Sequence, residues 1–333
     1  MGGGANRPGL SAARSGESRA AASGGQAYLI VAGPTASGKS ALALAIAREF
    51  DGVIVNADSM QVYRELAILT ARPGPAELDA APHRLYGVLP ASERCSAGRW
   101  REMALAAIAE TPTKLAIVTG GTGLYLRALR QGLSPIPDIP ADVQKQGAAL
   151  LARLGAPALH RELATLDPQT AERLQPGDSQ RILRAWLVAK ATGRTLSEWQ
   201  GEAPLADTGP CLSFTLMPPR EQLYAAIDGR FRRMMEQGAI EEARSFLALG
   251  LDPSLPVMKA VGLREFGRML AGELSLESAI AAAQQETRRY AKRQVTWLRH
   301  QMPDAQTIDA QFSERILPEI FNIIRQFLLT VTV

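Results

Sequence analysis

Residues 33–40 read GPTASGKS and follow directly on the apolar run AYLIVA (27–32). The octapeptide fits G-x-x-x-x-G-K-[ST], a loop that wraps a phosphate group. Its demands on the fold are strict. Successive backbone N–H groups and a helix N-terminus must converge on one anion, so a buried strand must end at the loop and a helix must begin in it. Gly33 and Gly38 let the backbone fold close, and Pro34, Thr35, Ala36 and Ser37 complete the loop. Lys39 supplies a point charge to terminal phosphate oxygens, and the Ser40 hydroxyl suits a Mg²⁺ ion. The pattern asks for a polyphosphate and leaves open which one.

The rest of the chain supplies the frame that such a loop needs. SALALAIAREF (40–50) reads as a helix, GVIVNAD (52–58) as a second strand, RWREMALAAIAE (99–110) as a helix and KLAIVTGGTGLY (114–125) as a strand running into a glycine turn. Strands alternating with helices argue an α/β fold with a doubly wound parallel sheet. Ligands of such sheets bind beyond the carboxyl ends of the strands, where the loop, Asp58 and the Gly120–Gly123 turn all fall. The proline-rich LSPIPDIP (133–140) then marks a boundary, and residues 141–200 read almost wholly helical. CLSFTLMPP (211–219) resumes the sheet, with helices over 220–249, 262–271 and 276–300.

The expected organisation is a tail over 1–26, a phosphate-loop core over 27–137, a helical insertion domain over 138–208, and the second part of the core with C-terminal helices over 209–333. The tail holds Gly, Ala, Ser and Arg without apolar periodicity and reads as disordered. Its Arg and Ser content, with Glu17 as its acid, fits a transit peptide, but a bacterial start-site extension is the preferred reading. Two cysteines, Cys95 and Cys211, make neither a disulfide framework nor a zinc cluster and suit a reducing cytoplasm. No apolar run is long enough for a membrane span. Net charge is +4, which leaves a solvated basic face and a polyanion footprint both open.

One absence matters. A phosphate-loop NTPase usually carries an acid at the end of a later strand to hold Mg²⁺. Here LAIVT (115–119) ends in Gly120-Gly121. The acid in reach of the pattern is Asp58, at a position typical of a group acting on a second substrate.

Six motifs occur in order: GPTASGKS, NADSMQVYR, VTGGTGLYLRAL, DPQTAERLQPGDSQRILRA, VMKAVGLREF and TRRYAKRQVTWLR. The series, spanning roughly residues 28 to 300, closely resembles the bacterial tRNA dimethylallyltransferases, also called tRNA isopentenyltransferases. The resemblance implies transfer of a dimethylallyl group from dimethylallyl diphosphate to N6 of the adenosine at tRNA position 37, beside the anticodon. The loop then seats a diphosphate leaving group, with Lys39, the loop amides, Mg²⁺ on Ser40 and Arg230 stabilising its charge. Asp58 is implied as the base for the adenine amine. Thr122 is implied near the reacting centre.

The resemblance further implies contact between tRNA and Asp58, Ser59, Met60, Gln61 and Thr122. It extends this to Gln180, Arg181, Ile182, Leu183 and Arg184 of the insertion, which match a segment contacting the anticodon stem-loop, and to Lys259 and Arg264. Arg289, Lys292 and Arg293 lie at i, i+3 and i+4 on one helical face. By spacing alone that face is as readily a solvated one, and the resemblance tips it toward RNA. The family often has Tyr where this chain has Leu263, which puts an aromatic contact there in doubt. No zinc finger of the eukaryotic kind follows His300, and a cytoplasmic monomer is expected. The readings weighed against this are a small-molecule or nucleoside kinase, an adenylate isopentenyltransferase, and a non-catalytic RNA-binding protein.

Overall fold

A computed structural model describes residues 25–111, 115–202 and 209–331. The expected tail lies largely outside these residues. Within it Gln26 is engaged, its side-chain amide donating to the Thr111 carbonyl at 2.9 Å.

The alternating apolar strands form one parallel sheet of six strands: β1 (Tyr28–Ala32), β2 (Val53–Asn56), β3 (His83–Arg84), β4 (Ala116–Gly120), β5 (Cys211–Leu216) and β6 (Gln306–Ile308), in the order β3-β2-β4-β1-β5-β6. Both faces are covered. Along β1, Tyr28, Ile30 and Ala32 enter one apolar cluster and Leu29 and Val31 the other. This is the two-sided burial that keeps parallel sheets apolar throughout. The register aligns the strand ends. Ala32 pairs with Gly120 and Asn56 with Thr119, so the loops leaving β1, β4 and β2 start side by side.

The chain divides into two compact units, one of them Gln131–Ala206 and the other the sequence on either side. The sheet belongs to the flanking unit. The Gln131–Ala206 unit is helical, with Ala141–Leu154, Ala156–Leu166, Pro168–Arg173, Ser179–Thr192 and Leu196–Gly201 around a small core of Leu159, Leu163, Ala171, Ile182, Ala185 and Trp186.

Three expectations change. The stretch 220–249 is two helices, Arg220–Glu236 and Ala239–Leu247, because Gly238 adopts φ +95° and stops the first. Strands β3 and β6, of two and three residues, are too short to carry a period. A last helix, Leu317–Val331, covers one sheet face through Ile320 and Ile324. Among the described residues no helix is long and apolar enough to cross a membrane.

Candidate active site

The phosphate loop is built as its sequence requires. β1 ends at Ala32 and the helix Lys39–Glu49 begins immediately after Gly38, whose φ is +89°. A Cβ at Gly38 would also lie 2.5 Å from the Phe312 side chain, so only glycine fits. Ala36 too is left-handed, at φ 65°, and its carbonyl accepts from Gln311 Nε2 at 2.8 Å. The segment after β6 therefore holds the loop from outside. Ser37 Oγ is fully buried and has no partner among the described residues. Ser40 is exposed at the helix start.

Lys39 turns back on its own loop, Nζ donating to the Pro34 carbonyl at 3.2 Å. Burial lowers its pKa to about 8; the Asp58 carboxylate opposes this and Arg230 adds to it. Arg230 comes from the helix Arg220–Glu236, on the same side as the buried Leu223, Ile227 and Met234, so the helix turns it inward. Its Nη2 donates to Thr35 Oγ1 at 2.5 Å. Burial brings its pKa down to about 10, again against the pull of Asp58. Two cations are thus held where neither is well solvated, a state that a bound anion relieves.

Asp58 closes β2 in an Asx turn. Asn56, wholly buried, accepts from the Asp58 N–H at 2.8 Å through Oδ1, and its Nδ2 donates to the carbonyls of Asp58 and Leu85 at 3.0 and 3.1 Å. One carboxylate oxygen of Asp58 accepts from the Met60 N–H at 2.9 Å. The group is half-exposed. Its charge also reaches Tyr86 and Tyr290, whose hydroxyls are pushed up chiefly by burial and then by Asp58. Asp58 is the electrostatic centre of this crevice.

Thr122 Oγ1 accepts from the Ser59 N–H at 2.9 Å. Its turn is packed without spare volume. A Cβ at Gly120 would lie 2.2 Å from the Ala57 carbonyl oxygen, one at Gly121 would lie 2.1 Å from Gln294 Nε2, and one at Gly123 would lie 2.3 Å from the Trp297 ring. Gln61 faces elsewhere, its amide donating to the Thr70 and Ala71 carbonyls at 2.8 and 3.1 Å. Glu242 accepts the N–H groups of Ala67, Ile68 and Leu69 at 2.7–2.8 Å and pins the segment that follows.

The basic helix Leu276–Gln301 has two sides. Ala279, Ala283, Thr287, Ala291, Gln294 and Leu298 are buried, whereas Arg289, Lys292 and Arg293 are exposed together. Arg288 is committed differently: its Nη2 meets both Asp228 oxygens at 2.7 and 2.6 Å. Arg220, Tyr224, Gln285, Arg288, Arg289 and Lys292 line a cleft of ≈ 370 Å³ whose lining holds four cations and no carboxylate. The Arg220 guanidinium lies 5.0 Å over the Tyr224 ring. Lys259 and Arg264 are also exposed.

In the helical unit Gln180, Arg181 and Arg184 are exposed, but Ile182 is fully buried beside Trp186 and Leu183 is half-buried. Ile182 therefore packs the core, and its side chain is withdrawn from any RNA contact. Leu263 is likewise buried, at 1 % exposure. The spacing of the RILR motif carries this division, since a helix must bury one of its faces.

Sequence reasoning missed Asn56, Tyr290 and Gln294. Gln294 Oε1 accepts from the Thr35 N–H at 2.8 Å and its Nε2 donates to the Gly121 carbonyl at 2.9 Å. A signal for it exists: buried positions 283, 287, 291, 294 and 298 form one stripe, and a glutamine on such a stripe needs buried partners.

The chain is similar to known proteins over most of its length. The IPP transferase family model matches residues 61–301, and an isopentenyl transferase model matches residues 25–90. The tRNA dimethylallyltransferase of Paramagnetospirillum magneticum is 54% identical over 305 residues, covering 91% of this chain and 97% of the relative. The crystal structure of the full-length tRNA isopentenylpyrophosphate transferase of Bacillus halodurans superposes with a TM-score of 0.65 at 30% identity, covering 92% of this chain and 98% of that one. A eukaryotic dimethylallyltransferase acting on tRNA superposes with a TM-score of 0.71 at 28% identity, covering 82% of this chain and 70% of its own.

Proposed function

Because the chain belongs to the IPP transferase family and is a tRNA dimethylallyltransferase, we propose that its crevice transfers a dimethylallyl group from dimethylallyl diphosphate to N6 of the adenosine at tRNA position 37. The observation that carries this reading is the meeting of Lys39, Arg230 and Asp58 in one crevice, where burial weakens the charged form of both cations. A diphosphate would restore what burial takes away.

In this reading the diphosphate lies against loop residues 33–40. Lys39, Arg230 and the loop N–H groups receive the charge that grows on the bridging oxygen as the C–O bond breaks. The Ser37 hydroxyl gains an acceptor. The exposed Ser40 hydroxyl at the helix start fits a Mg²⁺ ion held mostly through substrate oxygens and water. That ion would neutralise charge on the leaving group. The adenine N6 lone pair forms the new C–N bond, the diphosphate departs with the C–O electron pair, and N6 passes a proton to Asp58. Asn56 and the Met60 N–H hold the carboxylate for that task. Thr122, tied to Ser59, lies between the two substrates.

The base must leave its stack to reach this crevice. Arg289, Lys292 and Arg293 offer an exposed basic face for the tRNA backbone, and Gln180, Arg181 and Arg184 offer a second set. The protein is read as a cytoplasmic monomer. Incubation with Mg²⁺, dimethylallyl diphosphate and unmodified tRNA, followed by digestion and mass spectrometry, should yield isopentenyl-adenosine. Prenylation of free AMP or ATP alone would remove tRNA as the acceptor, and ATP consumption with a small acceptor would replace the reaction by a kinase.

A further inference from the structure

Gln294 belongs to the helix that carries the basic face, yet it points inward and is only 5 % exposed. Its carboxamide spans two loops from different strands. Oε1 accepts from Thr35 N–H at 2.8 Å, and Nε2 donates to the Gly121 carbonyl at 2.9 Å. The amide cannot be turned over, because one partner only donates and the other only accepts. It fills the volume that a Cβ on Gly121 would need, 2.1 Å from its nitrogen.

Each end leads on to a reacting group. Thr35 presents Oγ1 to Arg230 at 2.5 Å. Gly121 precedes Thr122, whose Oγ1 accepts the Ser59 N–H next to Asp58. One turn earlier on the same helix, Tyr290 neighbours the Thr122 and Gln294 side chains. Gln294 thus joins the half of the crevice that holds the leaving group to the half that holds the base.

We propose that Gln294 is a positioning residue for the transfer: its carboxamide sets the separation between Thr35 and Gly121, and so the distance across which the new C–N bond forms. The inference rests on the assignment of the loop to the diphosphate and the turn to the acceptor. Small misplacements of reacting groups weigh heavily, on the order of 10²-fold in rate for about 1 Å.

The test compares Gln294→Ala and Gln294→Glu with the native protein. Single-turnover transfer in the Ala variant should fall about 10- to 100-fold, with tRNA affinity within about twofold of native. The Glu variant, close in shape, retains the acceptor for Thr35 N–H and loses the donor to Gly121. Its deficit relative to native should shrink as pH is lowered, because the protonated carboxyl regains a donor. A native rate in the Ala variant overturns the proposal. So does a loss of rate matched by an equal loss of tRNA affinity, or a Glu deficit that ignores pH, since both mark a structural role. If the native protein itself makes no isopentenyl-adenosine, the functional reading fails and the proposal falls with it, an outcome distinct from an active native protein whose Ala variant matches its rate.

Discussion

Two aspartates, one in each unit, are used in opposite ways. Asp167 of the helical unit is 1 % exposed and its carboxylate accepts from the Thr170 N–H at 3.0 Å, the Ser197 N–H at 3.1 Å and the Ser197 hydroxyl at 2.8 Å. Burial alone would raise its pKa, but those hydrogen bonds outweigh it and hold the group below the usual carboxylate range. Asp58 of the sheet unit accepts from the Met60 N–H and keeps the rest of its carboxylate half-open toward Lys39 and Arg230. A carboxylate saturated by its own fold holds that fold together, and one left open keeps lone pairs for a second substrate.

Replacing the two aspartates in turn is the sharpest way to break the comparison. Asp58→Ala should lower the single-turnover rate about 10²- to 10⁴-fold with tRNA affinity unchanged. Asp167→Ala should spare the rate at saturating tRNA and destabilise the helical unit by about 1–3 kcal/mol, read by hydrogen exchange. Equal losses of rate and RNA binding in Asp58→Ala would make both residues structural. Arg230→Ala should cost the sheet unit about 10²- to 10³-fold in kcat; a rise in KM for dimethylallyl diphosphate alone would reduce it to ground-state binding.

The helical unit should answer to salt instead of rate. Arg181→Ala with Arg184→Ala should weaken tRNA binding and reduce the slope of log K against log salt by about one for each phosphate that is no longer neutralised. An unchanged slope returns that face to solvent. The smallest effect concerns Lys39. With its pKa lowered to about 8 by burial, it is charged below that pH and neutral above it. Pyrophosphate affinity should therefore hold steady up to about pH 8 and then weaken by no more than about tenfold per unit. Lys39→Arg, which stays charged, corrects for titration of the ligand. The sign for folding is opposite: between about 8 and 10.5 the unfolded chain binds the proton that the fold has shed, so the free protein gains stability as pH rises through that window.

The legible parts of this molecule were those with local causes. GPTASGKS dictated a strand, a tight loop and a helix, and the strand register then placed Asp58 and the Gly120 turn beside it. The exposed trio Arg289, Lys292 and Arg293 followed from helical spacing. What escaped were contacts made across the chain. Gln294 reaches back 259 residues to Thr35, and no local pattern encodes that partner. Asn56 reads as a strand end, yet its side chain shapes the Asp58 turn from a fully buried position. The break at Gly238 was written in one residue inside an otherwise unbroken helical pattern. Ile182 shows the reverse error, where a motif match carried an RNA role onto a side chain that the helix turns inward.

The packing of the Gly120–Gly123 turn has a consequence for how the protein is made. Its three empty side-chain positions are filled by the Ala57 carbonyl, Gln294 and Trp297, and the last two come from the helix ending at Gln301. A chain still in synthesis carries its loop sequence early, but the helix that floors the reaction chamber and the Gln311–Phe312 segment that holds the loop both come late in the chain. A complete site therefore requires nearly the whole chain.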